Sequence, residues 1–105
     1  MSDPVQARIG ELVKQNRIML FMKGTKFFPQ CGFSARAVGV LRQLGAEFET
    51  FDVLSDGGVR EGIKAYSSWP TIPQLYIGGE FVGGSDIMME LYQNGELAAL
   101  VSTEG

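Results

Sequence analysis

The chain carries one cysteine, Cys31, and no histidine. Without an imidazole, Cys–His pairs, Ser-His-Asp triads and His-ligated metal sites are excluded. With a single thiol, an internal disulfide and a four-cysteine metal site within one chain are excluded as well. Any metal or redox chemistry here needs thiols from outside the chain. Such cysteine poverty suits a reducing compartment. The expected location is the cytoplasm, with an organelle matrix or stroma as the alternative for a mature chain.

Cys31 follows a loop, with Pro29 two residues earlier, and precedes a helical stretch. A sulfur at a helix N-terminus faces free N–H groups and the positive end of the macrodipole, which favour a thiolate. Lys23 and Lys26 precede it and place positive charge nearby. Two readings stand: a buried structural cysteine, or a reactive thiol, which the loop-to-helix context favours. Ser34 occupies the position one helical turn on, where a Cys-x-x-Cys motif has its resolving thiol. A hydroxyl does not close a disulfide, so nothing in the chain releases a mixed disulfide formed at Cys31. The plainer role for Ser34 is to satisfy a backbone group from an early helix position.

Two further segments could meet a ligand. In Thr71-Ile72-Pro73, a cis X–Pro bond would turn the Ile72 backbone outward, free to pair with an extended peptide. The plainer reading is a proline-rich turn. Gly83-Gly84-Ser85-Asp86 offers close backbone approach, helix N-terminal amides for a carboxylate, and a negative charge for an ammonium. By itself it also reads as an ordinary capped helix start. Lys23 and Arg60 are individually unremarkable surface cations. Together these groups match a small peptide with two carboxylates and one ammonium.

The elements that must position these residues follow from pattern. Asp3-Pro4-x-Gln6 reads as the capped start of a helix carrying Val5, Ile9, Leu12 and Val13, ending near Gln15. The apolar run Arg17–Met22 predicts a buried strand, stopped by Gly24, and 24–30 a loop. Phe33, Ala37, Val40, Leu41 and Leu44 predict the core stripe of a second helix, ended by Gly45. Glu47–Val53 predicts a second strand, parallel to the first as in a βαβ unit. Asp56 caps a third helix with Val59, Ile63 and Tyr66 on one face. Gln74–Ile77 and Glu80–Val82 flank Gly78-Gly79, a hairpin signal. Gly83-Gly84 breaks the second of these strands, and Ser85 caps a helix with Ile87, Met88 and Leu91. After Asn94-Gly95, Leu97, Leu100 and Val101 form a short last helix. The predicted architecture is α/β: one four-stranded mixed sheet flanked by helices.

Composition agrees with one domain over 1–105. The chain has 105 residues, 45% apolar and 20% charged, with a net charge of −3. That balance argues against a nucleic-acid partner. No apolar run is longer than Ile18–Met22, which is far short of a membrane span, and no signal peptide is visible.

Lys23-Gly24-Thr25, Pro29-Gln30-Cys31-Gly32-Phe33-Ser34, Trp69-Pro70-Thr71-Ile72-Pro73-Gln74 and Gly83-Gly84-Ser85-Asp86, in that order, resemble the monothiol, CGFS-type glutaredoxins. The resemblance runs from about Val5 to Leu100, and matches the single-domain branch. It implies a thioredoxin-like fold, glutathione binding, and a [2Fe–2S] cluster assembled between two protomers. Carried over by residue, Cys31 would be the redox thiol and cluster ligand. Lys23 and Arg60 would meet the glycine carboxylate of glutathione, Ile72 ahead of cis-Pro73 its backbone, and Ser85 and Asp86 its γ-glutamyl end. Clusters of this kind usually take four ligands; one cysteine from each of two chains and one thiol from each of two glutathiones make four. With half its ligands exchangeable, such a cluster would be labile. Many relatives carry Cys where this chain has Ser85, so a dithiol cycle does not carry over.

The resemblance thus implies a cluster carrier: a homodimer when loaded, delivering to apo iron–sulfur client proteins. It also implies a possible BolA-type partner, which could supply the histidine ligand this chain lacks. The rival is an enzyme, a glutathione-dependent thiol–disulfide oxidoreductase acting through Cys31, weak because no internal thiol resolves it.

Overall fold

The structure, a computed structural model, describes residues 3–102; the ends of the expected 1–105 span lie outside the described residues. Helix α1 (Pro4–Gln15) starts where expected, its first amides met by the Asp3 carboxylate, which accepts from Val5 N–H at 2.8 Å. Strand β1 (Ile18–Met22) is buried along its whole length. Alternate side chains of a strand face opposite ways, so an unbroken apolar run means that both faces are covered. Ile18, Leu20 and Met22 pack beneath helix α2 (Gly32–Gln43), with Ala37, Val40 and Leu41. Met19 and Phe21 pack on the other side against Ile9 and Val13 of α1 and Val59 and Ile63 of helix α3 (Gly57–Ser67).

Four strands form the sheet, in the order β2-β1-β3-β4. Strand β2 (Glu49–Asp52) runs parallel to β1. Strand β3 (Gln74–Ile77) is antiparallel to β1 on its other side. The hairpin to β4 (Glu80–Gly83) turns through Gly78 (φ 61°) and Gly79 (φ 85°), the positive values the sequence demanded. Helices α4 (Ser85–Gln93) and α5 (Glu96–Ser102) complete the α2 side, where Met88 and Leu97 are fully buried.

The expected α/β architecture is therefore observed, with local corrections. The first strand starts at Ile18, one residue later; the Arg17 carbonyl still accepts from Gly78 N–H at 2.7 Å, and its guanidinium donates to the Leu100 and Val101 carbonyls and tethers α5. Strand β2 is shorter than the predicted 47–53. Its only neighbour among the described residues, β1, is in register from Met19 opposite Glu49 to Met22 opposite Asp52. There the Asp52 carboxylate accepts from Leu54 N–H and turns the chain into an unpredicted 3₁₀ turn, Val53–Ser55. Gly83 still belongs to β4, and the break falls at Gly84. Phe33 does not join the core stripe of α2. It is 56% exposed, and the inward place in that first turn belongs to Ser34. In α5, Leu97 alone is fully buried and Leu100 is 39% exposed.

Candidate functional site

Lys23 is placed by its backbone. Its N–H donates to the buried Ser34 hydroxyl at 3.0 Å, and the next amide, Gly24 N–H, donates to Asp52 Oδ1 at 2.9 Å. The end of β1 is thereby fastened to α2 on one side and to β2 on the other. Ser34 thus has the backbone role that its position suggested. Gly24 then turns with φ 91° into a tight loop, closed by Gln30 N–H to Lys23 O at 2.9 Å and by paired amide–carbonyl bonds between Thr25 and Phe28. A Cβ on Gly24 would lie 2.5 Å from Phe28 O and 2.6 Å from Gln30 N, so only glycine fits. The loop holds Phe27 and Phe28 out, 72% and 74% exposed, and delivers the chain to Cys31.

Cys31 is the N-cap of α2, half-exposed, with extended backbone. Its thiol makes no capping hydrogen bond. The surroundings nonetheless favour the thiolate, and the thiol is held below its ordinary value. The Ser34 amide contributes most. Burial opposes it, and the Phe33 amide, the Lys23 charge and the Ser34 hydroxyl add to it. A half-exposed sulfur with a lowered thiol is compatible with the reactive reading of the cysteine. Lys26 takes no part, contrary to expectation. Its ammonium is drawn away to Phe48 O at 2.6 Å, with Glu49 at 3.9 Å and the Phe48 ring also close.

A cleft of about 410 Å³ opens beside Cys31, within the size range of small-ligand sites. It brings together every site residue expected from the sequence: Lys23, Cys31, Arg60, Ile72, Pro73, Ser85 and Asp86. The Ile72–Pro73 peptide is cis, and Ile72 lies outside the strand ladder. Among the described residues, the side chains of Lys23, Arg60 and Asp86 have no ion-pair or hydrogen-bond partner. The N-cap of α4 is Gly84, not Ser85, and no side chain caps that end. Ser85 is the first residue of the helix, 7% exposed, and its hydroxyl has no partner. Gly84 fits because a Cβ there would lie 3.3 Å from both Pro73 O and the Trp69 indole nitrogen.

The cleft also contains residues not singled out from the sequence. Lys64 stands one turn after Arg60 on the same face of α3, a spacing that could have flagged it. Phe33 and Trp69 supply apolar wall. Phe33 was misassigned because its spacing fits the α2 stripe, while its place in the first turn leaves it beside the thiol. The arrangement places a half-exposed sulfur, cations and an anion without partners among the described residues, and uncapped helix amides around one cavity. It suits a small, multiply charged compound.

The fold is shared with solved proteins. The reduced apo form of poplar GrxS14 superposes with a TM-score of 0.80 at 50% identity, over 90% of this chain and 87% of that one. A buckwheat glutaredoxin solved as a complex with glutathione gives a TM-score of 0.83 at 25% identity, over 93% and 87%. Fold and site together define a thiol protein of the thioredoxin-like class. A family model described as glutaredoxin matches residues 18–82. A ycf64-like monothiol glutaredoxin of Synechocystis is 61% identical over 101 residues, 96% of this chain and 94% of that protein. The chain belongs to the glutaredoxin family, among its monothiol members.

Proposed function

We propose that this protein binds glutathione in the cleft and, as a pair of chains, carries a [2Fe–2S] cluster to apo-proteins in a reducing compartment. The observation that carries the reading is the set of charged groups without partners among the described residues around one favoured thiolate: Lys23, Arg60 and Asp86 beside Cys31. Glutathione presents two carboxylates, an ammonium and a peptide backbone. Lys23 and Arg60 pair with its glycine carboxylate, Ile72 with its backbone, and the α4 amides, Ser85 and Asp86 with the γ-glutamyl end. The buckwheat glutaredoxin solved with glutathione supports glutathione as the ligand.

The donor set fits a shared cluster as cargo. Among the described residues, no group of three or more His, Cys, Asp and Glu side chains could hold a metal ion. Such a cluster takes four ligands, usually thiolates. One accessible thiolate from each of two chains and one from each of two glutathiones supply them. The amides of Ser34 and Phe33 stabilise the charged sulfur, which lowers the cost of deprotonating Cys31 when it becomes a ligand.

The same lowered thiol supports a second reading, a glutathione-dependent oxidoreductase. The Cys31 thiolate attacks the glutathione sulfur of a protein–glutathione disulfide, and the protein thiolate leaves. A second glutathione thiolate then attacks the Cys31–glutathione disulfide, releasing oxidised glutathione and the Cys31 thiolate. Ser34 and Ser85 provide no internal alternative to that second step.

Anaerobic reconstitution with iron, sulfide and glutathione separates the readings. A visible iron–sulfur spectrum on a species eluting as a dimer, and lost when glutathione is omitted, supports the carrier. A colourless monomer with deglutathionylating activity supports the enzyme instead.

A further inference from the structure

Gln74 opens β3 immediately after Pro73 and is fully buried. Burying a carboxamide is costly unless its bonding groups are matched. Here they are matched in a particular way. The Gln74 Nε2 donates to Trp69 O and to Thr71 O, both at 3.1 Å, and its Oε1 accepts from the Tyr76 hydroxyl at 3.1 Å. Both N–H bonds of the amide therefore go to the carbonyls of one short loop, whose residues 69–73 wall the cleft. The far end of that loop is held as well: Trp69 N–H donates to Lys64 O and to the Ser67 hydroxyl, each at 3.1 Å, at the end of α3. An apolar residue would fill the same core position but leave the Thr71 carbonyl unpaired and the Trp69 carbonyl with only a long bond from the Ser67 hydroxyl, at 3.5 Å.

We propose that Gln74 is a positioning residue for the cleft. Too deeply buried to touch a ligand, its carboxamide fixes the Trp69–Thr71 segment in the shape that presents Ile72 to a bound tripeptide. Tyr76 orients that carboxamide from behind, since its hydroxyl donor selects which end of the amide turns toward the loop. This inference rests on the reading of the cleft as a glutathione site.

The test uses S-methylglutathione, whose blocked sulfur neither reduces disulfides nor binds iron. Trp69 is the only tryptophan of the chain and stands in the cleft wall, so its fluorescence reports both loop and ligand. Gln74→Met is expected to shift the ligand-free emission to the red and to weaken the Kd about tenfold, the scale of a lost hydrogen bond or two. Tyr76→Phe keeps both donations to the loop and is expected to move both readouts less, in the same direction. Leu97→Ala, on the far face of the sheet, is the control: it lowers the melting temperature and leaves emission and Kd alone.

Wild-type Kd and emission in folded Gln74→Met overturn the positioning role, as does an equal loss of affinity in Leu97→Ala. If Gln74→Met does not fold, Tyr76→Phe decides, and an unchanged Kd there overturns the role. Failure of the wild-type protein to bind the probe overturns the glutathione reading itself, and this inference with it.

Discussion

Replacing Gly24 by alanine tests the account of how the site is assembled. The φ of 91° places this residue where an L side chain costs about 1–2 kcal/mol. A Cβ would also lie 2.5 Å from Phe28 O and 2.6 Å from Gln30 N, and both are backbone atoms that no rotamer change moves aside. The loop must open, weakening the Thr25–Phe28 pair and the Gln30–Lys23 bond, at about 1 kcal/mol each. With three such bonds lost as well as the backbone strain, the expected loss is about 4–5 kcal/mol, a large part of the stability of a typical domain. Gly39→Ala is the matched control. Gly39 lies inside α2, and nothing stands within 4 Å of its Cβ position. It is expected to gain roughly 0.5–1 kcal/mol, the ordinary helix preference for alanine. Urea unfolding followed by circular dichroism measures both. Gly24→Ala is also expected to alter the pH profile of Cys31 alkylation, because the loop joins Lys23 to the thiol. A Gly24→Ala protein within about 0.5 kcal/mol of wild type, on the scale of an ordinary surface substitution, would refute the steric reasoning.

Alkylation of Cys31 by iodoacetamide should rise at lower pH in the folded chain than in the denatured one, since the fold favours the thiolate; coincident profiles would remove the role of the α2 amides. Cys31→Ser should abolish cluster assembly and redox activity while keeping the circular dichroism and thermal melt of the wild type, because the thiol makes no capping bond. Lys23→Ala with Arg60→Ala should raise the glutathione concentration needed for assembly by about tenfold or more, each charge-assisted contact being worth about 1.5–3 kcal/mol when formed; unchanged dependence would displace the carboxylate site. The Asp56 carboxyl is held below its ordinary 3.8, chiefly by the Val59 amide and also by Arg8. Its folded value is depressed, so its stabilisation is full above 3.8 and is lost as pH falls through the folded value. Asp56→Ala should therefore show a shallower loss of melting temperature on acidification below pH 4, read by thermal melts.

Much of the fold was legible because it depends on local rules. The Asp3-Pro4 start, the Gly78-Gly79 hairpin and the buried run of β1 each follow from backbone preference or side-chain period, which a short window contains. The corrections arose where a residue's fate depends on a distant neighbour. The Glu49–Asp52 limits of β2 are set by where β1 offers partners, and the 3₁₀ turn after it by the Asp52 carboxylate. The helical spacing of Phe33 was read correctly and its burial wrongly, because only the packed sheet decides which turn of α2 lies over the core.

The same division holds at the site. Sequence by itself determined the chemistry available: one thiol at a helix start, no imidazole, and a serine where a resolving thiol would stand. It also contained the motifs that mark the family. Only the tertiary structure decided which charges remain free to act. Lys23 and Lys26 are equivalent as letters, yet the first faces the cleft with no side-chain partner among the described residues and the second is bound to Phe48 O beside Glu49. Gln74 reads as an ordinary strand residue until its amide is seen to grip two loop carbonyls. Charges and amides act through distance and orientation, and those are fixed by residues far away in the chain.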